Sequence, residues 1–289
     1  MDLAQATGAG TIFVVGTGRN VGKTTTLRTV YEAAWRRGLR CGLASIGRDS
    51  EGTELASSQR KPRIRLHADT VFATVRASLP RSPASEILKL SQLHGAAGPL
   101  LYARAIADGI YELVGPPTAS GVREVIGELR AYCELAIVDG AVDRIAALAG
   151  VDGAVVVACG AAAGSTPQEA VDDVAGLVAR LRVRVHDPGK TAVYVEGALT
   201  ASQVAAFVAA GETREIVVGD PTQIALSGKA ATLALARLNL RCLRPLRPIA
   251  ATVASIGPER SFEPRAFARA VSAATGLPAF DVYAGTKTA

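Results

Sequence analysis

The stretch that most constrains this chain is Gly16-Thr17-Gly18-Arg19-Asn20-Val21-Gly22-Lys23-Thr24, which directly follows the apolar run Thr11-Ile12-Phe13-Val14-Val15. A β-branched run, a glycine-bearing loop and then Gly-Lys-Thr opening a helix is the layout of a phosphate-binding loop. Glycines let the backbone turn so that successive N–H groups face phosphate oxygens. The start of the following helix adds unpaired N–H groups and the positive end of its dipole. In that reading Lys23 reaches the β- and γ-phosphates and the Thr24 hydroxyl ligates Mg²⁺. The spacing departs from the strict Walker A pattern: the first glycine should fall at residue 17, which is Thr17, and glycines stand at 16 and 18 instead.

The next residues support a helix with one buried face, carried by Leu27, Val30, Tyr31, Ala34 and Trp35. It closes at Arg36-Arg37-Gly38, basic residues ahead of a C-cap glycine. Beyond it, Leu39–Ile46 reads as a strand ending in Gly47-Arg48-Asp49-Ser50-Glu51-Gly52. Ligands of a parallel sheet sit past the carboxyl ends of strands. Asp49 is therefore a candidate to hold Mg²⁺ through water, and Arg48 to contact phosphate or substrate; a solvated turn is the alternative. Residues 53–70 read as a polar loop and Thr70–Val75 as a short strand.

Ser82-Pro83-Ala84-Ser85-Glu86 has the chemistry of a helix start, with Ile87, Leu88, Leu90 and Leu93 as its buried face. Asp108-Gly109, between the apolar stretches 100–107 and 110–114, predicts an inserted β-hairpin. A helix over 119–132 precedes the second anchor, Leu135-Ala136-Ile137-Val138-Asp139-Gly140. An apolar strand ending in Asp-Gly supplies the acid that holds Mg²⁺ or its water beside the loop strand. Asp143 and Arg144 are weaker candidates, equally explained as a surface ion pair.

From there strands and helices alternate: strand 154–159, helix 167–181, strand 192–195, helix 201–209, strand 215–218, helical residues 222–238, strand 249–255, helix 264–275 and an apolar piece at 278–283. This predicts an α/β fold, a doubly wound and mostly parallel sheet in three layers of the Rossmann-like kind. His186-Asp187-Pro188-Gly189-Lys190 reads as a linker. The expected domains are a nucleotide-binding domain at 1–185 and a C-terminal α/β region at 186–289, either continuing the sheet or standing apart. Asp220, after the strand at 215–218, reads as the start of a turn.

Composition narrows the function. The net charge of +6 comes from dispersed basic clusters without interleaved aromatics, which argues against nucleic acid. The four cysteines are far apart, so reduced buried thiols are expected, and no histidine pair has zinc-ligand spacing. The segment from Met1 to Gly10 lacks the regions of a signal peptide, and no apolar stretch approaches the ~20 residues that span a bilayer. The expectation is a cytoplasmic protein without membrane partners; a homodimer is compatible with it.

At Gly16–Thr24 and Val138–Arg144 the chain resembles the dethiobiotin synthetase-like branch of P-loop NTPases, closely in these motifs and in layout over roughly the first 185 residues. The resemblance implies that Gly16, Thr17, Gly22, Lys23, Thr24 and Thr25 bind the triphosphate, while Thr24 and Asp139 bracket Mg²⁺. Gly18 stands where those enzymes commonly carry aspartate. Gly18–Lys23, Ile46–Asp49 and Asp139–Ile145 are also similar to accessory proteins of adenosylcobalamin-dependent lysine aminomutases. No Asn-Lys-x-Asp guanine motif occurs, which favours ATP. Three functions follow as expectations: an ATP hydrolase acting on a partner enzyme, a ligase or kinase acting on a small carboxylate, or a nucleotide-binding regulator without turnover.

Overall fold

The computed structural model describes residues 10–46, 63–80, 84–95, 98–140, 153–226, 231 and 235–283. The chain forms two compact units: Asp2–Val14 with Thr24–Ala147, and Val15–Lys23 with Leu148–Ala289. Strand β1 (Thr11–Gly16) begins in the first and ends in the second.

In the first unit β1 is followed by helix α1 (Lys23–Trp35) and by β2 (Cys41–Ser45), β3 (Arg63–Leu66), β4 (Val71–Val75), β5 (Ser85–Gly95), β6 (Gly98–Ala105) and β7 (Gly109–Glu112). Helix α2 (Ala119–Leu129) and β8 (Leu135–Asp139) complete it. Parallel pairing joins β1 to β8, β8 to β2 and β2 to β4, after which β6 and β5 add antiparallel. The parallel strands are buried along nearly their whole length, which is why they read as unbroken apolar runs. Leu27, Val30 and Tyr31 of α1 and Val122, Val125 and Leu129 of α2 are buried. Each such aliphatic side chain is worth about 1.5–3 kcal/mol when fully buried. Helix α2 starts on Thr118, whose hydroxyl accepts from Gly121 N at 3.1 Å.

The second unit holds β9 (Ala154–Gly160), α3 (Pro167–Leu181), β10 (Arg184–Val185), β11 (Ala192–Tyr194), α4 (Ala201–Ala209), β12 (Glu215–Val218), β13 (Leu240–Cys242), β14 (Arg247–Ala254), α5 (Pro264–Thr275) and β15 (Ala279–Asp281). Strands β9, β14 and β15 pair in parallel, while β10, β13, β12 and β11 make a separate four-stranded parallel sheet. The main sheet runs β15-β14-β9-β1-β8-β2-β4-β6-β5, mostly parallel and flanked by helices, as the alternation of elements predicts. The region after residue 186 thus contributes to both sheets. No helix among the described residues is long and apolar enough to cross a membrane.

Several local expectations fail for physical reasons. The segment from Ser85 is a strand, not a helix: its amides pair with β6, and Ile87 and Leu90 are 46% and 68% exposed, so their spacing marks no buried face. Asp108-Gly109 does not close a hairpin between the flanking stretches. Both edges of β6 are taken by β4 and β5, and β7 pairs with β3 instead. The inserted hairpin is β5–β6, one strand earlier in the chain. Residues 63–66, expected in a loop, form β3. Trp35 is not core but 42% exposed, stacked on His67 with ring centroids 3.7 Å apart. The expected helical run from Thr222 opens as a 3₁₀ turn, Pro221–Gln223, and Ile224 bridges Leu199 before residues 231 and 235–237 turn helical.

Candidate functional site

Strand β1 is fully buried, so its carboxyl end delivers Gly16 to a fixed point in the sheet, and Thr17 N donates to Ala158 O of β9 at 3.0 Å. From there the loop turns back sharply. Asn20 and Gly22 have φ of +57° and +83°, and left-handed residues within such a turn aim neighbouring N–H groups at a common centre. A Cβ on Gly16 would lie 2.8 Å from both Val21 Cγ2 and Lys23 Cγ, so the ring closes only over a bare glycine. A Cβ on Gly22 would lie 2.9 Å from Ala254 Cβ. Gly18 is less restricted, its nearest neighbour being Ala163 Cβ at an ordinary 3.5 Å.

Lys23 Nζ donates to Gly18 O at 2.6 Å, which holds the ammonium over its own loop. Val21 is buried and anchors the turn, whereas Arg19 and Asn20 are exposed at its rim. The bed beneath consists of small residues that the sequence does not advertise. Gly160 ends β9 with room for no side chain, since its Cβ would meet Ala254 Cβ and Ala254 O at 3.0 Å and Val21 Cα at 3.1 Å. Two hydroxyls here are buried without a partner among the described residues: Thr17 Oγ1 on the loop and Ser255 Oγ just past β14. Buried hydroxyls are rarely left so, and those that are call for a ligand, water or ion.

Thr24 and Thr25 begin the first unit's share of α1 and are half-buried. Asp139 ends β8 in register with Val14 of β1 on one side and Ser45 of β2 on the other. Gly140 N donates to Val14 O at 2.8 Å and Ile46 N to Asp139 O at 3.0 Å, so the backbone carrying this carboxylate is clamped between two strands. Asp49, Arg48, Asp143 and Arg144 lie outside the described residues. Asp220 is the turn that its position suggests: it accepts from Thr222 N at 3.0 Å and pairs with Arg244 at 3.6 Å.

Comparison with protein-family models, with curated proteins and with solved structures returned no match. Within the second unit, a glycine turn that side chains would fill, a lysine held over it and the partnerless Thr17 hydroxyl have the chemistry to hold an anion. The chain does not fit covalent catalysis by thiol, because all four cysteines are buried and reduced. Burial pushes Cys41 and Cys159 up to about 12, and Cys133 and Cys242 up to about 11.

Proposed function

We propose that the chain is a Mg²⁺-dependent P-loop nucleotide-binding protein that hydrolyses ATP to act on a partner enzyme. The loop carries this reading: a buried strand, a left-handed glycine turn with no room for a Cβ at Gly16, and Lys23 at the start of α1. Its main-chain N–H groups and the Lys23 ammonium would hold the β- and γ-phosphates. Thr24 and Asp139 would hold Mg²⁺, which spreads the charge that develops on the transferred phosphoryl group. The orphaned hydroxyl of Thr17 would gain a phosphate oxygen as acceptor.

Equilibrium binding of a fluorescent ATP analogue with and without Mg²⁺, followed by phosphate release, tests the reading. Lys23→Ala should weaken binding by about 100-fold, the loss of a charge-assisted contact to phosphate. Unchanged binding and turnover in that variant would remove the site assignment. Turnover that appears only when a small carboxylate is added would place the chain among ATP-dependent ligases or kinases instead.

A further inference from the structure

The first unit carries a second basic feature, remote in sequence from the loop. A groove of about 390 Å³ is lined by Arg28, Arg63, Arg65, Gly109 and Ile110. Along β3 the exposed Arg63 and Arg65 alternate with the buried Ile64 and Leu66, so both guanidinium groups leave the same face. Opposite Arg65 on β7 stands Ile110, 60% exposed. Arg28 joins them from the exposed side of α1, one helical turn before Glu32.

This wall is held rigidly. His67, just after β3, donates its backbone N–H to Tyr31 OH at 2.8 Å and stacks on Trp35. Its ring places Nδ1 2.8 Å from Asp108 and Nε2 3.2 Å from Glu32. Burial pulls the His67 pKa down, but the hydrogen bonds to Asp108 and Glu32 outweigh it, so the imidazole titrates above its ordinary value. Two of the nearby acids are thereby engaged with histidine, and the third, Glu112, in register opposite Arg63, accepts from Ser78 Oγ at 3.1 Å. Asp108 is held below the usual carboxylate range by the Ala68 N–H, then by His67, with a smaller contribution from Arg65. Among the described residues none of the three arginines has an ion-pair partner.

Three guanidinium groups with no ion-pair partner among the described residues repel each other around one concavity, and an anion relieves that repulsion. Guanidinium forks match carboxylate and phosphate oxygens in pairs. The volume suits a small molecule rather than an extended acidic chain. Ile110 and the arginine stems give its carbon skeleton an apolar surface. We propose that this groove binds a small organic polyanion bearing two or more carboxylate or phosphate groups. No loop residue takes part, so the inference stands apart from the nucleotide reading.

Calorimetric titration of the full chain with citrate and with fructose 1,6-bisphosphate tests it and separates the two anion sources. At least one should bind saturably at one per chain. Arg63→Gln/Arg65→Gln should weaken it by about tenfold or more. Arg63→Lys/Arg65→Lys keeps the charge but loses the forks and should cost about threefold. Because these side chains are exposed, far-UV circular dichroism should be unchanged; if the double variants fail to fold, Arg28→Gln on the neighbouring helix gives the same readout. No saturation by either probe up to about 10 mM, equal affinity in wild type and variants, or tighter binding of octaglutamate than of both probes would overturn the proposal.

Discussion

On the glycine-loop side of the second unit, Thr17 Oγ1 and Ser255 Oγ are buried with no partner among the described residues. In the small sheet of the same unit, Glu215 is just as hidden, its side chain 2% exposed, yet every part of it is engaged. His186 Nδ1 lies 2.7 Å from Oε2 and Asp187 N donates to the same oxygen at 3.3 Å. Arg241 Nε donates to Oε1 at 3.2 Å and Lys190 Nζ stands 3.9 Å away. Tyr194 OH completes the far side of the ring, 3.1 Å from His186 Nε2. By type alone this His-Glu-Tyr-Arg cluster looks more catalytic than a bare glycine loop. The difference lies in saturation. A closed network has nothing left to offer a substrate, whereas an open one has donors and acceptors that the protein itself does not use.

Removing the acid at the centre of the closed network should produce the largest effect on stability. Glu215→Ala leaves His186 and Arg241 facing an apolar sheet without their acceptor, which typically costs more than the pair ever contributed. The melting midpoint should fall by roughly 10 °C. Nucleotide affinity, measured where the variant is still folded, should be unchanged. The hydrogen bond from His186, followed by the Asp187 N–H, Arg241 and Lys190, holds the Glu215 carboxyl below its usual range against the opposing effect of burial. A depressed folded pKa means that this stabilisation is present above the unfolded value of about 4.3 and is lost as pH falls through the folded one. Thermal melts of wild type and variant should therefore converge on acidification below about pH 4. A parallel pair of curves, or a nucleotide defect in Glu215→Ala, would break the contrast between the two regions.

Which parts of this contrast are legible in the sequence follows from how local each one is. Helices α3, α4 and α5 are read to the residue because their ends are set by neighbours in sequence: Thr166 accepts from Glu169 N, Thr200 makes a capping box with Gln203, and Gly276 closes α5 at φ +63°. The glycine turn is legible for the same reason, its glycines and Lys23 lying close together in sequence. Strand β5 is misread because Glu, Leu, Lys and Gln favour helices locally, and only pairing with β6 overrides that preference. The bed of the loop, Gly160 and Ala254, carries no pattern at all. His186–Lys190 reads as a linker because Glu215, which His186, Asp187 and Lys190 contact, lies far along the chain. The arginine groove likewise joins residues 28, 63, 65 and 110 only through the β3–β7 pairing.

Gly22→Ala sharpens the comparison from the loop side with a smaller loss of stability. An alanine at φ +83° costs about 1–2 kcal/mol from the left-handed backbone alone. Its methyl group would also press on Ala254 Cβ at 2.9 Å, so the loop must shift. Chemical denaturation should show a loss of about 1–3 kcal/mol, and nucleotide binding should fall with it. Stability lost with nucleotide binding intact would mean that the turn serves packing alone.

Ser255→Ala should have the smallest effect on stability and is the sharpest discriminator, because the two readings of this hydroxyl predict opposite signs. If Ser255 were part of a saturated structural network like that of Glu215, removing its oxygen would orphan a partner and cost about 1–3 kcal/mol. With no partner among the described residues, deletion instead relieves an unsatisfied buried dipole, so stability should be unchanged or rise by up to about 1 kcal/mol. The hydroxyl lies immediately after Ala254, whose Cβ packs under Gly22 and Gly160, so a ligand seated in the loop is within reach of losing a contact. Nucleotide affinity should then drop by about three- to tenfold while the apo protein melts no lower. Denaturation curves recorded with and without ATP and Mg²⁺ read both quantities on one sample. A lower apo midpoint with unaltered ligand-induced stabilisation would assign Ser255 to the fold and leave Thr17 as the loop's open hydroxyl.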